Sequence, residues 1–270
     1  MILYKYLTED VLCKVLGSNR IAFSHPRDFN DPFDRPRVSR QPYTWEYNSL
    51  IDGLLKTKEI QAEEADAAWN ECVVSSFTRT HDNSLMWAHY ANKHTGAVIE
   101  VDTDRAGLMS KGFLIPVQFG SVIYMSRPNP DPGPAHGLSA IRASIIRGGE
   151  DRFNIENYEG LQRLFLTKSL SWAYEEEVRV VSGRFPFAWN ANNETLGGHW
   201  NRFDKGDGNM GYGLALPPGS ITRVYTGLRF KPFNFLRAEA DKHGFEIWRA
   251  TNSPGSYDVQ FEADGAMARS

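Results

Sequence analysis

The chain has 270 residues, 41% hydrophobic and 23% charged, with a formal net charge of −3. This is an ordinary soluble globular composition, and its slight acidity argues against generic electrostatic binding to DNA or to an anionic membrane, with a local basic groove still open. Two cysteines, Cys13 and Cys72, make no disulfide framework; no apolar run reaches transmembrane length, and MILYKYLTED lacks the parts of a signal peptide, so the expectation is a cytoplasmic, bacterial-type protein without a membrane partner.

Residues 2–6, ILYKY, read as a strand with Tyr4 and Tyr6 on one face and Lys5 on the other. Thr8 is placed to cap a helix over 9–16, with Leu12, Val15 and Leu16 inward and Gly17 at its end. RIAFS, 20–24, reads as a second strand. FNDPFD, 29–34, is turn-rich and has two open roles. Asp31 and Asp34 could bind a metal or a ribose, or the segment is a rigid turn that places Phe29 and Phe33 in the core, which its composition favours. Residues 45–71 read as helical, and ECVVSSFT, 71–78, as a strand ending in hydroxyls.

NSLMWAHYANK, 83–93, reads as a helix capped by Asn83 or Ser84. Met86, Trp87, Tyr90 and His94 lie near one of its faces, and His89 borders that face. The face is either an aromatic shelf for a flat ring, with Ser76 or Thr78 supplying hydrogen bonds, or a core-packing surface; periodicity alone favours packing. GAVIEVD, 96–102, and PVQFGSVIYM, 116–125, read as strands, 126–137 as a loop, and 138–147 and 156–168 as helices.

WAYEEEVRVV, 172–181, places three glutamates before an apolar run. On a strand, Glu175, Glu177 and Arg179 share a face and Glu176 points away. Arg179 would keep the two carboxylates ionised, suited to orienting a sugar hydroxyl or stabilising a cation; the other possibility is a solvated strand entrance with an ordinary ion pair, which spacing alone favours. A long Gly- and Asn-rich loop follows at 183–213. ITRVYTGL, 221–228, is a strand, 234–244 a helix closed by Gly244, 245–251 the final strand, and 263–270 a flexible tail. Together these give one α+β domain over 1–262, with a mixed, mainly antiparallel sheet and flanking helices. Phosphate-binding loops, the GxSxG elbow and the HExxH and CxxC patterns are absent. His81, His89 and His94 do not have zinc-site spacing, so no metal is expected.

As a set, LYKY at 3–6, FNDPFD at 29–34, SSFT at 75–78, MWAHYANKHTG at 86–96 and WAYEEEVR at 172–179 resemble a bacterial domain-of-unknown-function family. Its members carry LYKY, FNDPFD, a CFS or SFS strand, MWxHYA and WxYExExR in that order. That resemblance spans most of the chain and assigns no chemistry. The layout is also similar, more remotely, to ADP-ribosyltransferases. These open on a strand of LYH or LYR type that holds NAD, and their central strand ends in Ser or Thr. A Tyr from the next helix often stacks on nicotinamide, and a late strand begins with the catalytic Glu, sometimes as ExE.

This second resemblance implies an ADP-ribosyltransferase-like fold with NAD as substrate. It implies Glu177 as catalytic carboxylate, Glu175 as its partner toward the acceptor and Tyr90 as the stacking ring, with Tyr4, Lys5, Tyr6, Ser76, Thr78, Trp87 and His89 holding NAD. Lys5 stands where the family has His or Arg, and SSFT is not a strict STS. The implied activity is modification of a macromolecule, whether RNA, DNA or protein, by a toxin or antiphage defence effector, with a neutralising antitoxin as partner. Trp189, Trp200, Tyr212, Arg184 and Arg202 would suit base stacking and phosphate contact, or packing. The alternative is a non-catalytic nucleotide- or partner-binding module of a defence or stress system. A metal-dependent nuclease built on Asp31, Asp34 and the glutamates is a weaker third class.

Overall fold

The computed structural model describes residues 1–34, 63, 65–127, 140–143, 145, 152–183, 199–206, 208–231, 234–252, 255 and 258–264. β1 (Ile2–Leu7) leads into α1 (Glu9–Ser18), which buries Leu12, Val15 and Leu16 as their spacing predicts. The helix runs past Gly17 and stops at Asn19, whose left-handed φ of 50° turns its N–H back to the Leu16 carbonyl. Thr8 precedes it without a side-chain capping bond. β2 (Arg20–Phe23) follows, then a turn-rich segment to Asp34. Residues 65–70 are helical and run into β3 (Cys72–Thr78).

α2 (Ser84–His89) is capped by the Asn83 side chain, which accepts from the N–H groups of Leu85 and Met86. It is shorter than predicted because Asn92, Lys93 and His94 all take positive φ and turn the chain into β4 (Ala97–Asp102). PVQFGSVIYM is not one strand. Val117–Phe119 form a 3-10 turn between Pro116 and Gly120, Ser121 makes a single bridge to Val178, and β5 (Ile123–Met125) is the strand that remains. α3 (Tyr158–Phe165) ends short of the predicted 168, and β6 (Thr167–Ser169) runs parallel to β5. A 3-10 helix over Leu170–Glu175 precedes β7 (Glu177–Gly183).

The predicted loop 183–213 holds a hairpin, β8 (Trp200–Asp204) and β9 (Met210–Ala215). Its glycines suggest a loop, yet Gly211 and Gly213 stand opposite Phe203 and Asn201, where a Cβ would meet those side chains. β10 (Ile221–Thr226), α4 (Asn234–His243), closed by Gly244 at φ 75°, and β11 (Glu246–Asn252) occur as read. β11 is not the final strand: β12 (Val259–Ala263) pairs with it, and the Asp264 N–H donates to the Ile247 carbonyl, so residues 263 and 264 are held rather than frayed. Arg184, Trp189, loop residues 128–137, tail residues 265–270 and most of the helix predicted over 45–71 lie outside the described residues; so does 138–147 apart from 140–143 and 145, which are helical.

The main sheet has the order β12-β11-β10-β4-β1-β3-β7 and is antiparallel except where α4 crosses over between β10 and β11. A smaller sheet has the order β2-β9-β8. The α+β, mainly antiparallel class expected from the sequence is the one observed. Under one face of the main sheet, Leu3, Leu7, Ile99 and Val178 pack with Leu16 of α1 and Leu236 of α4. The other face carries Val74 and Val181 with Trp69 and Phe165, and Tyr6, Val98 and Tyr225 with Trp87. Each such fully buried aliphatic or aromatic side chain stabilises by about 1.5–3 kcal/mol. Trp200 is buried edge-on to Phe23 at 4.9 Å between ring centroids, and Tyr212 packs against the same core. Trp200 therefore serves as packing.

Candidate functional site: a buried ionic cleft

β1 and β3 are neighbours but stand in register only at Tyr4↔Thr78. Beyond that pair they splay, and Lys5 spans the gap: its Nζ donates to the Ser76 carbonyl at 2.6 Å and to Ser75 Oγ at 3.3 Å. A cleft of about 170 Å³ opens at this split, with Tyr4, Lys5 and Tyr6 from β1 and Ser76 and Thr78 from β3 in its walls. On the far side β3 pairs with β7 residue for residue, Thr78 opposite Glu177 and Ser76 opposite Arg179. Directly opposed residues of an antiparallel pair share a face. The hydroxyl strand and the carboxylate strand therefore present these groups together.

The three glutamates do not form one strand. Glu175 ends the 3-10 helix, Glu176 takes a left-handed φ of 44°, and β7 begins at Glu177. The kink at Glu176 leaves that side chain exposed and brings Glu175 and Glu177 onto one cation. Lys168 Nζ donates to Glu175 Oε2 at 2.5 Å and to Glu177 Oε2 at 3.0 Å. Arg179 donates through Nε to Glu177 Oε1 at 2.8 Å and through Nη2 to Glu177 Oε2 at 3.0 Å and Asp34 Oδ2 at 2.6 Å. Its Nη1 donates to the Phe165 carbonyl, and Phe29 lies 5.0 Å from the guanidinium. Tyr90 Oη donates to Glu175 Oε1 at 2.5 Å, and the Glu177 N–H donates to Tyr124 Oη at 2.8 Å.

Glu175 and Glu177 are 3% and 6% exposed, and Arg179 is 1% exposed, so this is an interior network. Burial by itself would raise the Glu177 carboxyl, but Arg179, then Lys168 and Ser76, outweigh it and lower it to about 2. Burial lowers the Lys5 ammonium to about 8 against the opposing pull of Glu177. Burial, and then Glu175, raise the Tyr90 hydroxyl, and burial raises Tyr124 to about 12. Burial also pushes the Asp34 carboxyl up while Arg179 pulls it back.

Of the residues singled out in the sequence, Tyr4, Lys5, Tyr6, Ser76, Thr78, Tyr90, Glu175 and Glu177 line this one cleft. Trp87 and His89 are placed elsewhere. Trp87 is fully buried, edge-on to Tyr6, and its indole N–H donates to the His81 carbonyl. His89 is exposed at the end of α2. The shelf is thus Met86 and Tyr90, and Tyr90 is the first residue past the helix rather than part of it. In FNDPFD, Asp31 makes the expected turn by accepting from the Phe33 N–H, but Phe33 is 61% exposed and not in the core. Phe29 does pack, partly buried, against the Trp69 core as expected, and it also lines the cleft with Asn30 and Asp34.

Lys168 is a buried cleft cation that the sequence reading missed. The apolar spacing of α3 carries on into LFLTK and hides the change to strand. Among the described residues no group of three or more His, Cys, Asp or Glu is placed to hold a metal ion, and no helix is long and apolar enough to cross a membrane.

Fold and site define an α+β domain with an ionic, tyrosine-lined cleft opening where two central strands part. The model of a family described as a protein of unknown function (DUF2971) matches residues 86–180, the span that carries Tyr90, Lys168, Glu175, Glu177 and Arg179. Neither the curated proteins nor the solved structures compared with the chain give a match.

Proposed function

We propose that this cleft takes NAD as substrate and transfers its ADP-ribose to a macromolecule, RNA, DNA or protein, in the bacterial cytoplasm, as a toxin or antiphage effector does. One observation carries the reading: Lys5, the Ser76–Thr78 pair and Glu177 lie on the adjacent strands β1, β3 and β7 and converge with Tyr90 on one cleft. At about 170 Å³ the cleft is smaller than the ~300–1,000 Å³ that encloses a whole drug-sized ligand, so it suits a ring and its ribose, with the rest of the dinucleotide outside.

The chemistry matches the charges. Nicotinamide in NAD is a cationic ring. When the C1′–N bond breaks, the electron pair goes to the ring nitrogen and positive charge develops on the ribose. Glu177, held ionised, stabilises that charge through the ribose 2′-hydroxyl, and fixed charges in a dry site do so strongly. Tyr90 orients the leaving ring. The acceptor then bonds to C1′ and gives up its proton to Glu175. Under this reading the Lys5 ammonium, on the cleft wall, attracts the phosphate that adjoins the ribose.

The test is incubation of the purified protein with NAD and cell extract, measuring nicotinamide release and a mass gain of ADP-ribose on RNA, DNA or protein. Glu177→Gln and Tyr90→Ala are expected to lower release, the former by about 10²–10³-fold. Release that persists unchanged in both variants overturns the reading. One observation favours a second reading, a non-catalytic nucleotide-binding module: both Glu177 oxygens are already engaged by Arg179 and Lys168. Saturable NAD binding without nicotinamide release distinguishes it.

A further inference from the structure

FNDPFD delivers a group that the scheme above leaves unused. Asp34 is 6% exposed and lines the cleft. Its Oδ2 is held by Arg179, but Oδ1 is buried with no hydrogen-bond partner among the described residues. A buried carboxylate oxygen left unpaired costs roughly 1–3 kcal/mol or more, and because Asp34 lines the cleft a donor that arrives with the ligand would supply the missing partner. The same Arg179 Nη2 that holds Asp34 also holds Glu177 Oε2, at 2.6 and 3.0 Å. One nitrogen thus sets two carboxylates side by side, and neighbouring acceptors of this kind match the neighbouring hydroxyls of a ribose.

We propose that Asp34 is a specificity residue for a vicinal diol: Glu177 faces the ribose 2′-hydroxyl, and Asp34 Oδ1 accepts from the 3′-hydroxyl. Arg179 sets the spacing and pulls the Asp34 carboxyl down against the burial that raises it. The cleft then selects ribonucleosides over their 3′-deoxy forms whatever chemistry follows. The naming of nicotinamide as the base rests on the proposed function; the diol itself does not.

The experiment is a ligand-mutant cycle by calorimetry. Nicotinamide riboside and its 3′-deoxy analogue are titrated into the wild-type protein, Asp34→Ala and Asp34→Asn. The wild type is expected to prefer the 3′-hydroxyl by about ten- to a hundredfold, the range for a hydrogen bond to a charged acceptor. Asp34→Ala should bind both alike. Asp34→Asn keeps an oxygen for Arg179, which covers the case in which the alanine variant fails to fold, and should retain no more than a small preference. A wild-type preference that survives in either folded variant overturns the proposal, because loss of general packing weakens both ligands equally. If the wild type binds neither nicotinamide compound, adenosine and 3′-deoxyadenosine take their place. Discrimination there that collapses on Asp34 substitution upholds the diol site and rejects only the nicotinamide reading, while absence of binding to all four compounds rejects both.

Discussion

Lys5 and Glu177 are both displaced downward, Lys5 by burial and Glu177 by Arg179 and Lys168 against burial, and each displacement sets a pH window. Lys5 titrates near 8 in the folded chain against 10.5 when free. Between those values the unfolded chain holds a proton that the folded chain has released, so this group makes stability rise with pH across that window. Lys5→Met lacks the effect. In urea titrations the wild type should therefore gain on the variant between pH 7.5 and 10, whatever their offset at neutrality; a constant difference would refute the shift. Under the proposed function NAD affinity falls over the same window as Lys5 loses its charge, whereas nicotinamide riboside, which has no phosphate, is spared. Glu177 gives a slope of the same sign in the acid range. Its folded value near 2 lies below the usual 4.5, so its contribution is complete above pH 4.5 and is lost as pH falls toward 2. Glu177→Gln should flatten the acid limb of the stability profile, and acid unfolding followed by circular dichroism reads this directly.

Two short backbone features aim these side chains, and they separate what the sequence discloses from what it hides. The strands over 72–78, 97–102 and 177–183 are legible because β-branched residues recur in short runs bounded by turns. Pairing Glu175 with Glu177 by a period of two reached the right partners through the wrong geometry, since Glu175 belongs to a 3-10 helix and a left-handed Glu176 makes the join. Nothing in EEE marks the middle residue for positive φ. A non-glycine there costs about 1 kcal/mol. Glu176→Gly is expected to raise the melting free energy by up to about 1 kcal/mol with the cleft intact, and Glu176→Val to lower it by about 1–2 kcal/mol. Equal thermal midpoints for the two variants would contradict the kink. Gly120 is the second feature. Its carbonyl accepts the Arg179 N–H at 2.8 Å, and a methyl at Gly120 would overlap the Arg179 carbonyl. Gly120→Ala should therefore destabilise by about 2–3 kcal/mol. It should also disturb Arg179, which shows as weaker ligand binding in the fraction that remains folded. The β8–β9 hairpin was illegible for the converse reason: the glycines that signal a loop are there to clear space for Phe203 and Asn201.

Across the whole molecule, one run of charges joins segments far apart in the chain. Asp34 from the turn after β2, Arg179 and Glu177 from β7, Lys168 from β6, Glu175 from the 3-10 helix and Tyr90 from the end of α2 are linked contact by contact. Its three carboxylates face two cations within it, with Lys5 at the margin, so removing one cation leaves buried negative charge without compensation. For a buried pair that loss costs about 3–5 kcal/mol, more than the pair's net worth when intact. Lys168→Met should accordingly destabilise by about that amount, although methionine fills a similar volume. Glu175 is the group it strands most, because Glu177 keeps Arg179 while Glu175 keeps only the Tyr90 hydroxyl among the described residues. Neutralising Glu175 as well should therefore recover stability: Lys168→Met/Glu175→Gln is expected to be more stable than Lys168→Met alone, with a coupling of at least about 1 kcal/mol in a urea double-mutant cycle. A double variant that loses the sum of the two single losses would mean that Lys168 and Glu175 do not act on each other. Recovery of stability without recovery of ligand binding would in turn assign the network to holding the cleft's carboxylates in place, since the fold would then stand without the charges that the ligand needs.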